Sequence, residues 1–436
     1  PCRRILCSME NATAIRSDIF ERARLSRDAR FDGRFYVGVR TTGIYCRPIC
    51  PANPPESENV TFYPTAAAAS EAGFRPCLRC RPECAPGTPA WAGTSTTVQR
   101  GLRLIADGAL EDGNVERLAD RLGVTSRHLR RLFTRHVGAS PLAVAHTQRL
   151  HFAKRLIDQT SLTMQDISVA AGYGSVRRFN DTFRKTYGRT PRELRRGREG
   201  VVSTGALTVQ LPYRQPYGWP ELLGFFAARA TPGVELVSEG RYLRAVRVGD
   251  RAGVIDVQDA GGALSLTVHG IATDSLFAAV QRARGLFDLD APIEDIGGVL
   301  SRDKILRTWM KGNPGIRVPG AWDGFELCVR AVLGQQVSVK AATTFAGRIA
   351  ERYGEPVSVV IDDLADAPVQ LFPTPEQLKR ARLENLGIIR SRAQTIRDIA
   401  RVASSGELNF GADQSVDEFR SILTSIKGVG DWTAEY

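Results

Sequence analysis

No stretch of this chain approaches 18 consecutive apolar residues, so no segment reads as a membrane-spanning helix. The first twenty residues lack the apolar core of a signal peptide. No low-complexity tract and no repeat of fixed period stands out, apart from two related helical units near the middle. Acidic residues are in deficit: 47 Asp and Glu face 59 Lys and Arg, a net charge of +12. These absences exclude a membrane span and a long solenoid, and they point to a polyanionic partner. What is present suffices for folding. The 436 residues are 43% hydrophobic, enough for proper cores in two to four domains. Residue 1 is Pro, and Met9 precedes a plausible polar start, so the first eight residues are expected either to lie upstream of the natural start or to belong to a fragment.

Large apolar residues are also scarce between Pro51 and Pro76, a stretch rich in Pro, Ala and Glu. A segment so poor in core formers needs a staple. It is flanked by Cys46-x3-Cys50 and Cys77-x2-Cys80, and four thiolates on two short loops can close a tetrahedral shell around Zn²⁺. Spacing alone leaves open a purely structural zinc knuckle. A disulfide pair is disfavoured, because nothing points to secretion. Cys2, Cys7, Cys84 and Cys328 are scattered and read as free thiols of a reducing cytoplasm, with Cys84 close enough to serve as a spare ligand.

The residues around the cysteines add more. Thr41-Thr-Gly-Ile-Tyr-Cys46-Arg-Pro-Ile-Cys50, Glu58-Asn-Val-Thr-Phe-Tyr63 and Gly73-Phe-Arg-Pro-Cys77-Leu-Arg-Cys80 closely resemble the N-terminal domain of the bacterial Ada protein, over Phe31–Glu83. The resemblance implies zinc on Cys46, Cys50, Cys77 and Cys80, with Cys46 taking a methyl group from a methylated DNA phosphate. Pro51-Ala-Asn53 departs from the arginines that the best-known member carries there. An ordinary phosphate diester is repelled by a thiolate cluster, whereas a methylphosphotriester is neutral and can approach. Methylation removes one negative charge, so affinity for nearby phosphates should rise. No step regenerates the thiolate, and the protein is consumed.

Linkers at Ala85–Ala90 and Arg198–Gly200 divide the chain, giving expected domains at 9–84, 95–198, 205–290 and 291–436. Nearly all the excess charge sits in Ser95–Arg198, with 20 Lys and Arg against 9 Asp and Glu. There Val115–Val124 and Arg127–His136 read as helix, Gly turn and basic helix, with Leu129, Leu132 and Phe133 facing inward. Met164–Gly172 and Ser175–Tyr187 repeat that plan, and a helix from about Gln148 to Ile157 connects the copies. A helical structural bundle is the competing reading. The tail Phe179-x3-Phe183-Arg-Lys-x-Tyr187-Gly-x-Thr190-Pro191 is especially similar to AraC-type DNA-binding domains, a resemblance spanning Val98–Arg196. It implies a tandem helix-turn-helix, with Arg127, Arg130, Arg131, Arg177 and Arg178 on DNA.

From Thr204 onward, Leu207–Leu211, Tyr242–Val248, Gly253–Val257 and Leu264–Val268 alternate like strands. Helical patterns follow from Asp274, including Gly324–Ser338 and a basic Ala381–Ser404. The final motif, Ile426-Lys-Gly428-Val-Gly430-Asp-Trp432, is a G-x-G turn before a helix, a device for holding a phosphate or a monovalent cation. Pro216–Ala230, Leu286–Leu289, Phe325-Glu-x3-Arg-Ala-x-Leu-Gly-Gln335 and this hairpin stand in the order found in 3-methyladenine DNA glycosylase II. The resemblance covers Leu207–Tyr436. It implies base flipping, a base pocket lined by Trp432 and Tyr436, phosphate contacts at Gly428 and Gly430, and Gln336 as the wedge that fills the stack. Trp432 stands where bifunctional relatives carry a Schiff-base lysine, so excision without lyase cleavage is expected. The family's catalytic aspartate falls beyond Tyr436, and the chain to that point is expected to bind DNA but release little 3-methyladenine.

The expected fold is multidomain α+β. It combines a small zinc-bound α/β domain, an all-α tandem helix-turn-helix domain, and an α+β glycosylase with an N-terminal antiparallel sheet and a helix-hairpin-helix part. The expected function is an alkylation-damage response protein joining a methylation-activated regulator to a monofunctional glycosylase. Its partners are operator and alkylated double-stranded DNA, with RNA polymerase as a further one, and a cytoplasmic monomer is expected. The alternatives are a methylation-sensing regulator with an inactive glycosylase part and a plain structural zinc protein. No Pro-Cys-His-Arg stretch occurs, so repair of O6-alkylguanine is not expected.

Overall fold

Helices in the first half of the chain start where the sequence supplies a short polar side chain. Thr65, Asn114, Thr125, Ser140, Thr163, Ser175 and Thr190 each accept a hydrogen bond from the backbone N–H three residues on. Each cap satisfies a donor that the helix cannot, which is worth about 1 kcal/mol. The computed structural model describes residues 17–86, 96–110, 113–195, 206–359, 361, 367–412 and 414–436. Arg198–Gly200, most of Ala85–Ala90, and Cys2 and Cys7 lie outside them. Two units emerge. One holds the chain to Gly200 with the short returns Pro212–Gln215 and Leu289–Ile296; the other holds the rest.

In the first unit, β1 (Tyr36–Val39), β2 (Ile44–Cys46), β3 (Val60–Tyr63) and β4 (Arg75–Pro76) form a sheet in the order β3-β1-β2-β4. The β2–β4 pair is parallel, with Ile44 opposite Arg75 and Tyr45 opposite Pro76. Because β2 ends on Cys46 and β4 runs into Cys77, parallel pairing delivers both cysteine loops to one end of the sheet. Helix α1 (17–25) lays Ala23 against Phe35, Val37 and Val39.

The rest of this unit is helical. Its helices are α2 (Ala66–Glu71), α3 (Thr96–Ala106), α4 (Val115–Arg121), α5 (Ser126–Val137), α6 (Pro141–Gln159), α7 (Met164–Ala170), α8 (Val176–Tyr187) and α9 (Pro191–Leu194). Pairs α4–α5 and α7–α8 are the two expected copies. Gly123 and Gly172 turn them at φ +69°. Leu132 is only half-buried, while Leu129 and Phe133 are fully enclosed. The connecting helix α6 is longer than expected. The Ser140 cap and Pro141 start it two turns earlier.

Helix α2 packs on α6, and its four buried alanines, Ala66–Ala69, allow a close approach. Polar contacts fasten the same interface. Thr65 Oγ1 donates to Val137 O (3.0 Å), and Ser140 donates through N and Oγ to Glu71 (2.9 and 2.8 Å). Tyr45 OH lies 2.8 Å from His151 Nε2. Arg81 pairs with Asp158, which also takes Lys154 at 2.5 Å.

In the second unit, β5 (Ala206–Pro212), β6 (Glu235–Ser238), β7 (Arg241–Val248), β8 (Arg251–Asp259) and β9 (Ala263–His269) are ordered β5-β9-β8-β7-β6. The short β6 was not legible in the sequence. Strand β7 departs from alternation, because Tyr242–Val246 are all buried. One face meets α10 (Trp219–Ala227) and α11 (Leu276–Leu286) through the rings of Trp219, Phe226, Tyr242 and Phe287, whose centroids lie 4.9–5.8 Å apart. The other face meets Val357, Ile361 and Leu371.

The remaining helices are α12 (Ile293–Leu300), α13 (Lys304–Gly312), α14 (Gly324–Leu333), α15 (Val339–Tyr353), α16 (Pro375–Leu378), α17 (Arg390–Ser404), α18 (Val416–Ser425) and α19 (Asp431–Glu435). Phe325, Val329, Leu333, Ile349, Ile396 and Ile399 lie in their core. The helix expected over Ala381–Ser404 is broken. Leu383–Leu386 form a 3-10 turn, and Gly387 at φ +83° ends it before α17.

A buried charge cluster bolts β6 and β7 to α14. Arg244 bonds Glu235 (2.8 Å) and Glu326, and Arg330 bonds both carboxylates (2.9 and 3.0 Å). Burial pushes the Glu235 carboxyl up, but Arg244 and Arg330 outweigh it and hold it below its ordinary value. Its stabilising contribution is therefore present at neutral pH and lost as pH falls below the carboxylate range. Arg244→Ala leaves two buried carboxylates short of a partner. It should cost this unit about 3–5 kcal/mol, read by urea denaturation; a loss under about 1 kcal/mol would mean that the cluster is solvated.

Candidate metal centre and nucleic-acid interfaces

The two cysteine loops are set by short local bonds. Cys50 N–H donates to Arg47 O (3.1 Å), Cys77 N–H to Tyr45 O (3.0 Å) and Arg81 N–H to Cys77 O (3.1 Å). These turns bring the sulfurs of Cys46, Cys50, Cys77 and Cys80 within 4.8 Å of one another. A tetrahedral zinc site with Zn–S bonds near 2.3 Å needs sulfur separations of about 3.8 Å. The donor set and spacing fit that ion. Cys84 stands outside the group, and burial pushes its thiol above the ordinary value.

The four sulfurs are not equivalent. Cys77 and Cys80 are buried, whereas Cys46 and Cys50 are partly exposed. Backbone N–H groups face three of them: Arg47 N–H points at Cys80 (3.3 Å), Ala52 N–H at Cys50, and Cys80 N–H at Cys77. Such a donor draws electron density from a thiolate and blunts it as a nucleophile. Cys46, which ends β2, also packs against the apolar cluster of Ala23, Phe35, Val37 and Val39. It is one of the two partly exposed cysteines of the group.

Arg47 holds the loops together and was not picked out from the sequence. Its guanidinium is half-buried, pairs with Asp32 and donates to Cys80 O (3.1 Å). A basic residue beside Cys46 looks like a phosphate contact, yet here it faces inward.

In the helical part, Arg127, Arg130 and Arg131 on α5 and Arg177 and Arg178 on α8 are all exposed. Leu129 and Phe133, and Phe179 and Phe183, anchor the opposite faces. Arg130 pairs with Glu116 at 3.1 Å, a solvated contact that DNA could displace at little cost.

In the second unit, the turn between α18 and α19 places Gly428 at φ +94°, where an added Cβ would clash with Thr395 Oγ1. Thr395 Oγ1 donates to Lys427 O (2.9 Å). Gly430 starts α19 without a side-chain cap, so the first N–H groups stay available. Trp432 and Tyr436 stand one turn apart, with ring centroids 5.7 Å apart and exposures of 69% and 55%. Gln336 is exposed and one of five non-glycine residues with positive φ among those described, at +55°. The structure brings Gln336 close to the hairpin through its neighbour Gln335, which bonds Gly428 O (3.0 Å) and Thr433 Oγ1 (3.1 Å).

Four family profiles match this chain. They are the metal binding domain of Ada at residues 20–83, a helix-turn-helix domain at 118–197, the AlkA N-terminal domain at 208–323, and the HhH-GPD superfamily of base excision DNA repair proteins at 329–429. A probable bifunctional transcriptional activator/DNA repair enzyme AlkA of Mycobacterium tuberculosis is 43% identical over 96% of this chain and 85% of its own length. DNA-3-methyladenine glycosylase 2 of Escherichia coli is 36% identical over 52% of this chain and 78% of its own length. The Escherichia coli bifunctional transcriptional activator/DNA repair enzyme Ada is 34% identical over 46% of this chain and 54% of its own.

The cluster should bind about one zinc per chain in its four-thiolate form. Titration with a mercurial reagent should release that metal as four thiols react. Metal-free protein with four freely reactive thiols would count against the site.

Proposed function

The chain belongs to the family of bifunctional transcriptional activator/DNA repair enzymes, and from that premise we propose how its residues divide the work. It is an alkylation-damage response protein. The first unit senses methylated DNA phosphates and regulates transcription; the second is a DNA-3-methyladenine glycosylase of the helix-hairpin-helix type. The observation that carries the sensing role is the cluster of four sulfurs, with Cys46 at the end of β2 and partly exposed.

Bound zinc would keep all four sulfurs deprotonated at neutral pH and leave the cluster negatively charged. Cys46 Sγ attacks the methyl carbon of a neutral methylphosphotriester. The S–C bond forms, the C–O bond breaks, and the phosphate leaves as an ordinary diester anion. Cys46 becomes an uncharged thioether, so repulsion between this face and DNA phosphates falls. Cys77 and Cys80, buried and hydrogen-bonded, hold the frame.

DNA binding then rests on α5 and α8, through Arg127, Arg130, Arg131, Arg177 and Arg178. Two such helices in one chain can read successive turns of the major groove without dimerising, which suits a monomer. A contact with RNA polymerase would complete activation. In the glycosylase unit, Gly428 and Gly430 grip a phosphate, Gln336 fills the stack, and Trp432 and Tyr436 offer ring faces to the extruded base. Trp432 has no amine to form a Schiff base, so excision proceeds without lyase cleavage.

Cys46→Ser should abolish methyl uptake from methylphosphotriester DNA, measured by mass analysis of the protein. A methyl group on Cys50, Cys77 or Cys80 of the unaltered chain would overturn the assignment. Replacing Arg177 and Arg178 by Ala should weaken duplex binding and lower the slope of log affinity against log salt by about 0.9 for each lost phosphate contact. An unchanged slope would remove α8 from the interface.

A further inference from the structure

We propose that Gln335 and Arg392 are positioning residues for base flipping, holding Gln336 in its left-handed conformation and joining it to the phosphate-gripping hairpin as one rigid piece. The inference rests on the reading of Gln336 as the wedge.

A left-handed backbone is unfavourable for glutamine, so neighbouring bonds must select it. The chain leaves α14 at Gly334 and must restart at Ser338, whose Oγ caps α15 by accepting from Ala341 N (3.2 Å). Only Gln335, Gln336 and Val337 span that gap. Gln335 is pinned at both ends. Arg392 Nη2 donates to its carbonyl at 2.5 Å, which orients the peptide plane that includes the Gln336 N–H. Its side-chain amide donates to Gly428 O and Thr433 Oγ1, on the two sides of the hairpin turn. With that peptide plane fixed, Gln336 takes φ +55° and its side chain stands exposed.

Helix α17 backs the arrangement. Arg392 and Thr395 lie three residues apart, hence on one face of that helix. Arg392 holds the wedge turn, and Thr395 Oγ1 holds the hairpin at Lys427 O (2.9 Å). One helix face thus sets the distance between the two DNA-contacting pieces. Neither Gln335 nor Arg392 needs to touch the reacting base. A phosphate gripped by the hairpin places the wedge at a fixed offset along the duplex, so binding energy at the phosphate can be used to unstack the base.

The test uses the full chain and a duplex carrying 2-aminopurine beside an abasic-site analogue, whose fluorescence rises on unstacking. The unaltered chain should raise it, and Gln336→Ala should not. A normal rise with Gln336→Ala overturns the wedge reading itself. Gln335→Met keeps the side chain's length but cannot donate; it should reduce the unstacking equilibrium about tenfold, the effect of a lost hydrogen bond of ordinary strength. Arg392→Met should act like Gln335→Met, and Arg392→Lys, which keeps a donor, should recover part of the signal. Thermal unfolding of each variant separates a lost strut from a lost fold. Wild-type fluorescence in Gln335→Met and Arg392→Met, with loss in Gln336→Ala, would overturn the positioning role while leaving the wedge intact. Equal signals from Arg392→Lys and Arg392→Met would overturn the role of Arg392.

Discussion

Four sulfur atoms within 4.8 Å of one another cannot all carry charge unless a cation sits among them. That electrostatic demand organises the N-terminal part of the molecule. The small sheet has little apolar mass of its own, with Ala23, Phe35, Val37 and Val39 in one cluster and Tyr36, Tyr45, Ala66 and Ala69 in another. A core of that size does not hold two irregular loops in register, and a shared ion does. The same crowding supplies the chemistry. A site that stabilises thiolates also stores nucleophiles.

The contacts around Tyr45 show how close the cysteine loops lie to the helix-turn-helix part. Tyr45 is the neighbour of Cys46 on β2, and its hydroxyl meets His151 on the helix that joins the two helix-turn-helix pairs. Burial pushes His151 down to about 3, so it is neutral near pH 7 and the contact is an uncharged one. Helix α6 therefore serves both as connector of the helix-turn-helix pair and as the shelf on which the sensor rests. Its burial on several sides follows from having two clients.

Much of this was legible in the sequence, for identifiable reasons. Cysteine spacing named the four ligands because metal geometry tolerates few spacings. The helix-turn-helix pairs were legible because caps, glycine turns and an apolar stripe coincide at each copy. Two elements were not read. The start of α6 rests on the Ser140 cap and Pro141, and its buried Pro141, Val144 and Ala145 make too short a stripe to announce a helix. Strand β6 is four residues long with Glu235 alone buried, too brief to show a period of two. Arg47 and Gln335 were missed for a different reason. Their roles lie in backbone-directed bonds to Cys80 and Gly428, residues 33 and 93 positions away, and no local pattern marks such partners. The reactive sulfur was assigned from resemblance alone.

The alanine run Ala66–Ala69 against α6 has a consequence for how the protein searches DNA. Two binding modules on a slack tether each lose freedom when both engage, and their joint grip is set by the tether's reach. Here the sensor and the helical reader are already pressed together through side chains no larger than a methyl group. The entropy of aligning them was spent during folding rather than at the encounter. Every landing of the reader on a duplex therefore presents the sensor to the neighbouring backbone at high effective concentration. A scan for operators doubles as an inspection for damage, made at no additional cost in diffusion.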